Sequence, residues 1–362
     1  MDYSRLFETA DYPKISLKNR LVMAPMTTIS GESDGSFSEQ EIKYLAQRAE
    51  SGIGMIISPA CYVHKSGHAF ERQVGCHTDD LIPSLRRCAQ AINRHGAASI
   101  LQIHHGGNAA KEHLSGSQPW APTAIKNRRG SSEMPRAMAA SEVELLVEAF
   151  ANSAVRAQTA GFTGIEIHGA NTYLLQQFFS PFTNQREDKW GGSFENRTRF
   201  GCEIVKAIRD KVGDDYPVLY RISPEEDEPR GYSTFDTIQF LESLVPCGVD
   251  IIHVSSWEFH DNLRKDIPEG TNPTTLIKQA FPEVPVIGVG GVITPDQAMS
   301  VVESGVDLVA LGKILMLDKD WARKVESGES DTIRTGINSE EERQALDIPD
   351  NMKEYSRNFF KV

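Results

Sequence analysis

Three observations predict that this chain folds as a closed (β/α)8 barrel of the α/β class. Short β-branched runs alternate with segments of helical period almost from end to end. The runs are nearly continuous in apolar residues, as strands of a parallel sheet covered on both faces must be. There are eight of them in 362 residues, a length that a single barrel of this kind commonly reaches. An open doubly wound sheet would call for a glycine-rich turn after its first strand. "APMTTIS" (24–30) contains no glycine, and "GVGGVI" (288–293) has G-x-G without the rest of the fingerprint and lies near the end of the chain.

In chain order the expected strands are "RLVMAP" (20–25), "GMIISP" (54–59), "ASILQIHH" (98–105) and "GIEIHG" (164–169). "PVLYRIS" (217–223), "DIIHVSS" (250–256), "VPVIGVGG" (284–291) and "DLVALGK" (307–313) complete the set. Several helices announce their starts. "SEQE" (38–41), "SEVE" (141–144) and "TPDQ" (294–297) have the capping-box pattern, and the last adds proline at the first helical position. One connection breaks the rhythm: Gly106 to Ala140 carries Pro119, Pro122 and Pro135, and connections of that length in a compact domain are usually lids or binding loops. Residues 1–327 read as one barrel and 328–362 as an irregular tail, whose "EYSRNFFKV" end has aromatics to dock on its own barrel or on a neighbouring subunit.

Composition narrows the partners. A net charge of −12 and a pI near 5.4 disfavour nucleic acid and anionic membranes. No window resembles a signal peptide or approaches the apolar length of a membrane span. Five cysteines without a C-x-x-C pair fit reduced thiols, hence a cytoplasmic setting, better than disulfides or an iron–sulfur cluster. Cys61, His64, His68, Cys76 and His77 crowd one segment, but their spacing matches no standard zinc module.

In a barrel of this type, chemistry sits at the C-terminal ends of the strands. Those ends carry Met26 and Thr27, Ala60, then Gln102, His104 and His105, followed by His168, Asn171 and Tyr173, and Arg221. The seventh and eighth add Gly288, Gly290 and Gly291, then Gly312 and Lys313. Glycines that let backbone amides approach an anion, with a lysine beside them, predict a phosphate site. Arg221 and Gln102 suit a planar ring that becomes anionic on reduction, with Gln102 able to donate and accept at once. His168 and Asn171 are two donors fit to clamp a carbonyl oxygen, and Tyr173 is a weak acid able to deliver a proton to carbon.

These segments resemble the Old Yellow Enzymes, flavin-dependent ene-reductases. "KNRLVMAPMT", "LQIHHGG", "EIHGANTYLLQQFFSPFTNQREDKWGGSFENRTRF", "YRIS", "IGVGGVITP" and "ALGK" occur in that family's order over about residues 20–325. The resemblance implies a TIM barrel holding FMN non-covalently, reduced by NADH or NADPH, with a small-molecule enone as acceptor. It places Ala24, Pro25, Met26, Thr27 and Ala60 along the isoalloxazine, Gln102 at the pyrimidine edge, and Arg221 beside N1 and O2. Gly290, Gly291, Gly312 and Lys313 take the phosphate; His168 and Asn171 polarise the substrate carbonyl; Tyr173 is the proton donor. Lys313 stands where the family more often has arginine, and Thr27 and Ile29 depart from the branch with a reactive cysteine followed two positions on by tyrosine. Arg186, Asp188, Glu195 and Arg197 read as scaffold for the loop after the fourth strand. The terminal "YSR" resembles the arginine that some members lend to a neighbour, so a homo-oligomer is expected, with Arg357 crossing its interface or lying on the surface. The alternatives are an NAD(P)H oxidase using oxygen or another acceptor and, from another class, a metal-dependent barrel hydrolase built on His104, His105 and His168. The walls that select the substrate are expected from the long connection and from "SSWEFHDN" (255–262).

Overall fold

The alternation of apolar strands and amphipathic helices closes into a barrel in the computed structural model, which describes residues 2–126, 133–259, 267 and 271–360. The barrel strands are β1 (Leu21–Met23), β2 (Met55–Ile57), β3 (Ala98–His104) and β4 (Gly164–Gly169). They continue as β5 (Val218–Ile222), β6 (Ile251–Ser255), β7 (Val286–Val289) and β8 (Leu308–Leu311). All pair in parallel in the order β2-β1-β8-β7-β6-β5-β4-β3, and β2 closes the ring on β3 with Met55 opposite Ala98. The main helices between them are α1 (Glu39–Glu50), α2 (Ile82–Asn93), α3 (Ala140–Ala160), α4 (Phe194–Val212), α5 (Thr234–Leu244), α6 (Pro273–Ala280) and α7 (Pro295–Glu303).

Strand side chains alternate with period two, so each strand feeds two separate cores. Val22, Met55, Ile100, Leu219, Ile251 and Leu308 point into the barrel. Their neighbours Met23, Ile56, Leu101, Ile165, Val218 and Ile252 face the helices. An N-terminal hairpin, Ala10–Tyr12 paired with Ile15–Leu17, was not expected from the sequence. Its Ala10, Ile15 and Leu17 join the inner cluster and plug the barrel at the end away from the strand C-termini. A two-residue strand, Cys61–Tyr62, extends the sheet beside the end of β3.

The three capping patterns resolve differently. Thr294 caps α7 fully, accepting from Gln297 N–H at 3.2 Å while Gln297 Oε1 accepts from Thr294 N–H at 2.9 Å. At α1, Ser38 accepts from Glu41 N–H at 3.2 Å, but the Glu41 carboxylate turns inward to the Thr28 hydroxyl instead of back to the cap. The helix containing "SEVE" starts one residue before that motif, with Ala139 as its cap. Glu142 accepts from Ala139 N–H at 2.8 Å and binds Arg136, which leaves Ser141 without a capping role.

The connection after β3 holds a short helix, Glu112–Ser115, and a two-residue parallel pairing of Trp120–Ala121 with Arg136–Ala137; its residues 127–132 lie outside the described residues. Arg186 anchors it, donating to Pro122 O at 3.0 Å and Met138 O at 2.6 Å while pairing with Asp188. Arg197 on α4 secures the segment after β4, donating to Phe179 O and Gly192 O. The tail packs on its own barrel: Met352 is fully buried in the outer core, and Gln40 bonds both the Asp350 carboxylate and its N–H. Among the described residues no helix is long and apolar enough to cross a membrane.

Burial raises the Glu41 carboxyl from 4.5 to about 7, and the Thr28 hydrogen bond and the charge of Arg72 oppose this only in part. The folded chain therefore holds a proton there that the unfolded chain has already lost. Stability from this group is present below about pH 4.5 and is lost as pH rises to about 7, on the order of 3 kcal/mol in total. Glu41→Gln should flatten that slope in urea-unfolding measurements across the window; an unchanged slope would assign the titration elsewhere.

Candidate active site

The mouth of the barrel is assembled by parity. Gln102 and His104 on β3, Glu166 and His168 on β4, Arg221 on β5 and His253 and Ser255 on β6 all occupy inward positions, in step with Ile100, Leu219 and Ile251 below them. His105 has the opposite parity and is turned out of the barrel, where its Nε2 meets Ser66 Oγ at 2.9 Å and its Nδ1 accepts from Gly107 N–H at 3.0 Å. It is therefore structural, whereas His104 belongs to the mouth. The His104 ring lies 4.4 Å from Tyr173 and 5.2 Å from His168 by centroid. Burial drives its pKa down to about 3, and neither ring nitrogen has a hydrogen-bond partner among the described residues.

Past β4 the chain turns left-handed twice in succession, at Asn171 (φ +58°) and Thr172 (φ +67°). Such backbone at non-glycine residues costs about 1–3 kcal/mol each and persists only where its surroundings hold it. Here Asn171 N–H donates to Ser223 Oγ at 3.0 Å and Thr172 N–H to Gln176 Oε1 at 2.8 Å. The turn brings Asn171 and Tyr173 back over the strand end. Ser255 donates to Asn171 Oδ1 at 3.2 Å, which leaves the Asn171 amide N–H groups free to face the mouth. His168 Nδ1 accepts from Ala170 N–H at 3.3 Å, so the neutral ring carries its proton on Nε2. Burial, with the neighbouring His104, Arg221 and His253, holds the His168 pKa well below 6.5. The phenol of Tyr173, 5.0 Å from the His168 ring, is pushed well above 10 by burial and then by the tail's Tyr355, against the opposing effect of Arg221.

Deeper in the barrel, Gln102 Nε2 donates to Glu166 Oε1 at 2.7 Å, and Glu166 Oε2 bonds His253 Nδ1 at 2.6 Å. Arg221 is almost completely buried beside them, and its Nε has no partner among the described residues. Gln102 thus commits an amide hydrogen to protein, a narrower role than the free donor and acceptor expected of it. On the other side of the mouth a small cavity is lined by Thr27, Ile29, Pro59, Ala60, Phe70 and Gln73. Ile29, a β-branched residue, is held there at φ +47°. Ala24 is buried at the end of β1, its N–H on Leu311 O at 2.9 Å, followed by buried Pro25 and half-buried Met26, which reaches within 3.6 Å of where a side chain on Gly312 would begin.

Beyond β7 the backbone needs glycine. Gly290 has φ +144°, and a Cβ there would sit 2.6 Å from Phe259 N. Gly291 has φ +63° and is overlain by the exposed Glu258 carboxylate. Lys313 is exposed, its ammonium 5.6 Å from the Phe359 ring of the tail. Arg357 pairs with Glu340 and Glu354 within the tail. Of "SSWEFHDN", residues 260–262 lie outside the described residues. Among the described residues no three histidine, cysteine or acidic side chains are grouped to hold a metal, and Tyr62 stacks between His68 and His77.

The profile of the NADH:flavin oxidoreductase / NADH oxidase family matches residues 5–332. The chain belongs to this family. It is of the Old Yellow Enzyme type, a family built around FMN. An NADH:fumarate oxidoreductase of Klebsiella pneumoniae is 41% identical over 352 residues, which is 94% of this chain and 37% of that protein. A probable NADH-dependent flavin oxidoreductase of Bacillus subtilis is 38% identical over 341 residues, 92% of this chain and 91% of the relative. The old yellow enzyme homologue of Zymomonas mobilis shares the fold, with a TM-score of 0.81 at 24% identity over 92% of this chain and 94% of that one. The chain thus spans about two-fifths of the Klebsiella protein and nearly all of the Bacillus one.

The residues present fit FMN: a buried cation whose Nε has no partner among the described residues, a glutamine carbonyl that no described donor reaches, and glycines at 290 and 291 where a side chain would clash. The Glu258 carboxylate over Gly291 opposes a phosphate there. Glu258→Gln should tighten FMN several-fold in apoprotein fluorescence titrations and leave riboflavin, which lacks the phosphate, nearly unchanged. Equal effects on both flavins would place the phosphate elsewhere.

Proposed function

We propose that this chain reduces the carbon–carbon double bond of α,β-unsaturated carbonyl compounds. The observation that carries the reading is the donor pair at the end of β4. His168 offers Nε2–H because Nδ1 is occupied, and Asn171 offers its amide because Oδ1 is occupied. Two fixed donors favour a carbonyl oxygen as negative charge develops on it, and in a site sheltered from water that preference is stronger. Their hydrogen bonds draw electrons from the β-carbon. The Tyr173 phenol, protonated throughout the neutral range, delivers the proton to the α-carbon.

Gln102 and Arg221 would hold the ring of FMN, Ala24, Pro25, Met26, Thr27 and Ala60 would line it, and Gly290, Gly291, Gly312 and Lys313 would hold its phosphate. When bound, FMN supplies the hydride, taken from NADH or NADPH and given to the β-carbon. Thr27 would hydrogen-bond the flavin where other branches place cysteine, and Lys313 would bind the phosphate as a point charge without arginine's bidentate grip. An NADH oxidase of Thermoanaerobacter brockii, 34% identical over 92% of this chain and 52% of that protein, favours a second reading: NADH oxidation with electrons passed to oxygen or another acceptor.

Anaerobic addition of NADPH or NADH, then 2-cyclohexenone, separates the two. Bleaching of the flavin colour reversed by the enone supports ene-reduction, whereas reversal by oxygen alone supports the oxidase. Tyr173→Phe should slow the enone step by about 100-fold and leave bleaching by the nicotinamide intact; loss of bleaching as well would remove Tyr173 from the proton-donor role. Because His168 stays neutral, affinity for a phenol or enone should be flat from about pH 6 to 8. A fall in affinity as pH drops through about 6.5 would show His168 titrating in its ordinary range.

A further inference from the structure

Four polar side chains lie inside this barrel just beneath its mouth, where the strands are otherwise apolar: Gln102, Glu166, Arg221 and His253. Glu166 and His253 are completely buried, Gln102 is 1% exposed and Arg221 7%. Nothing about closing a barrel requires a carboxylate there, and an isolated one would be strongly disfavoured. Glu166 sits opposite Gln102 in the β3–β4 register and bonds it directly, while Arg221 stands opposite His168 on one side and His253 on the other. The carboxylate therefore joins every polar group of this layer: Gln102 and His253 by hydrogen bonds of 2.7 and 2.6 Å, and Arg221 through its charge.

We infer that Glu166 is a positioning residue for the flavin, fixing the Gln102 amide end for end and balancing the charge of Arg221. This rests on the FMN site proposed above. A carboxylate only accepts, so it draws the Gln102 NH2 group onto itself. The Gln102 carbonyl oxygen, which no described donor reaches, is then the group offered to the cofactor, and it suits the imide N–H on the pyrimidine edge of isoalloxazine. His253 holds the carboxylate from the far side through Nδ1–H, and its Nε2 has no partner among the described residues. Arg221 favours negative charge on the ring, and Glu166 beneath it moderates that preference. Without Glu166 the amide would be free to flip and the cation would act on the ring unopposed.

The test uses apoprotein prepared from the full chain, titrated with FMN and with FMN methylated at the imide nitrogen, together with the midpoint potential of bound FMN. Wild type should prefer FMN by about tenfold, the scale of one lost hydrogen bond. Glu166→Gln should reduce that preference to near unity and move the potential upward, because a negative charge has been removed beside Arg221. Glu166→Asp keeps the charge and the acceptor, so it should retain most of the preference and a potential near that of wild type, even where its melting temperature falls. This variant keeps the test open should Glu166→Gln fold poorly. The inference is overturned if the two variants move preference and potential alike, if Glu166→Gln lowers the potential, or if wild type binds both flavins equally. Wild-type apoprotein that binds neither flavin would instead sink the FMN site itself.

Discussion

Closure of the parallel sheet, with β2 paired to β3, is the constraint on which the rest depends. Once the ring is closed, alternate residues of every strand must point into a narrow interior and the others toward the helices. That rule separates His104 from His105, adjacent in sequence and different in environment. It also stacks the interior in layers: aliphatic side chains above the hairpin plug, then the polar layer around Glu166, then the donors at the mouth.

The electrostatics of the mouth follow from burial more than from net charge. The chain carries −12 overall, yet its pocket combines a buried arginine with three inward imidazoles. Desolvation keeps His104 and His168 neutral, which converts what could be cationic side chains into fixed dipoles. A neutral donor can follow charge as it develops on a ligand without binding a pre-existing anion too tightly. The same desolvation keeps the Tyr173 proton in place through neutral pH. Glu166 stands as the counter-charge that makes buried Arg221 tolerable.

Strain and scaffold share the work around this centre. The left-handed pair at Asn171 and Thr172 is held by Ser223, just past β5, and by Gln176, four residues further along the chain. Arg186 binds carbonyls of the long connection to the loop after β4, so two pocket walls share one anchor. The tail returns over the mouth, with Phe359 at Lys313 and Tyr355 near enough to bear on Tyr173, while Arg357 is occupied by Glu340 and Glu354.

The eight strands and their order were legible in the sequence because β-branched runs and turn chemistry are local signals. The strand ends were legible for a related reason: polar residues closing apolar runs, and glycines followed by lysine, stand out in one dimension. Old Yellow Enzyme-like motifs added the family. What the sequence could not separate was which polar residue at a strand end faces in. Partners of Glu166 lie on β3 and β6, 64 and 87 residues away, and only the closed ring brings them together. The hairpin plug, the outward turn of His105, the Glu258 carboxylate over Gly291 and the return of the tail are likewise tertiary decisions. Each depends on contacts between segments far apart in the chain, where local propensity is silent.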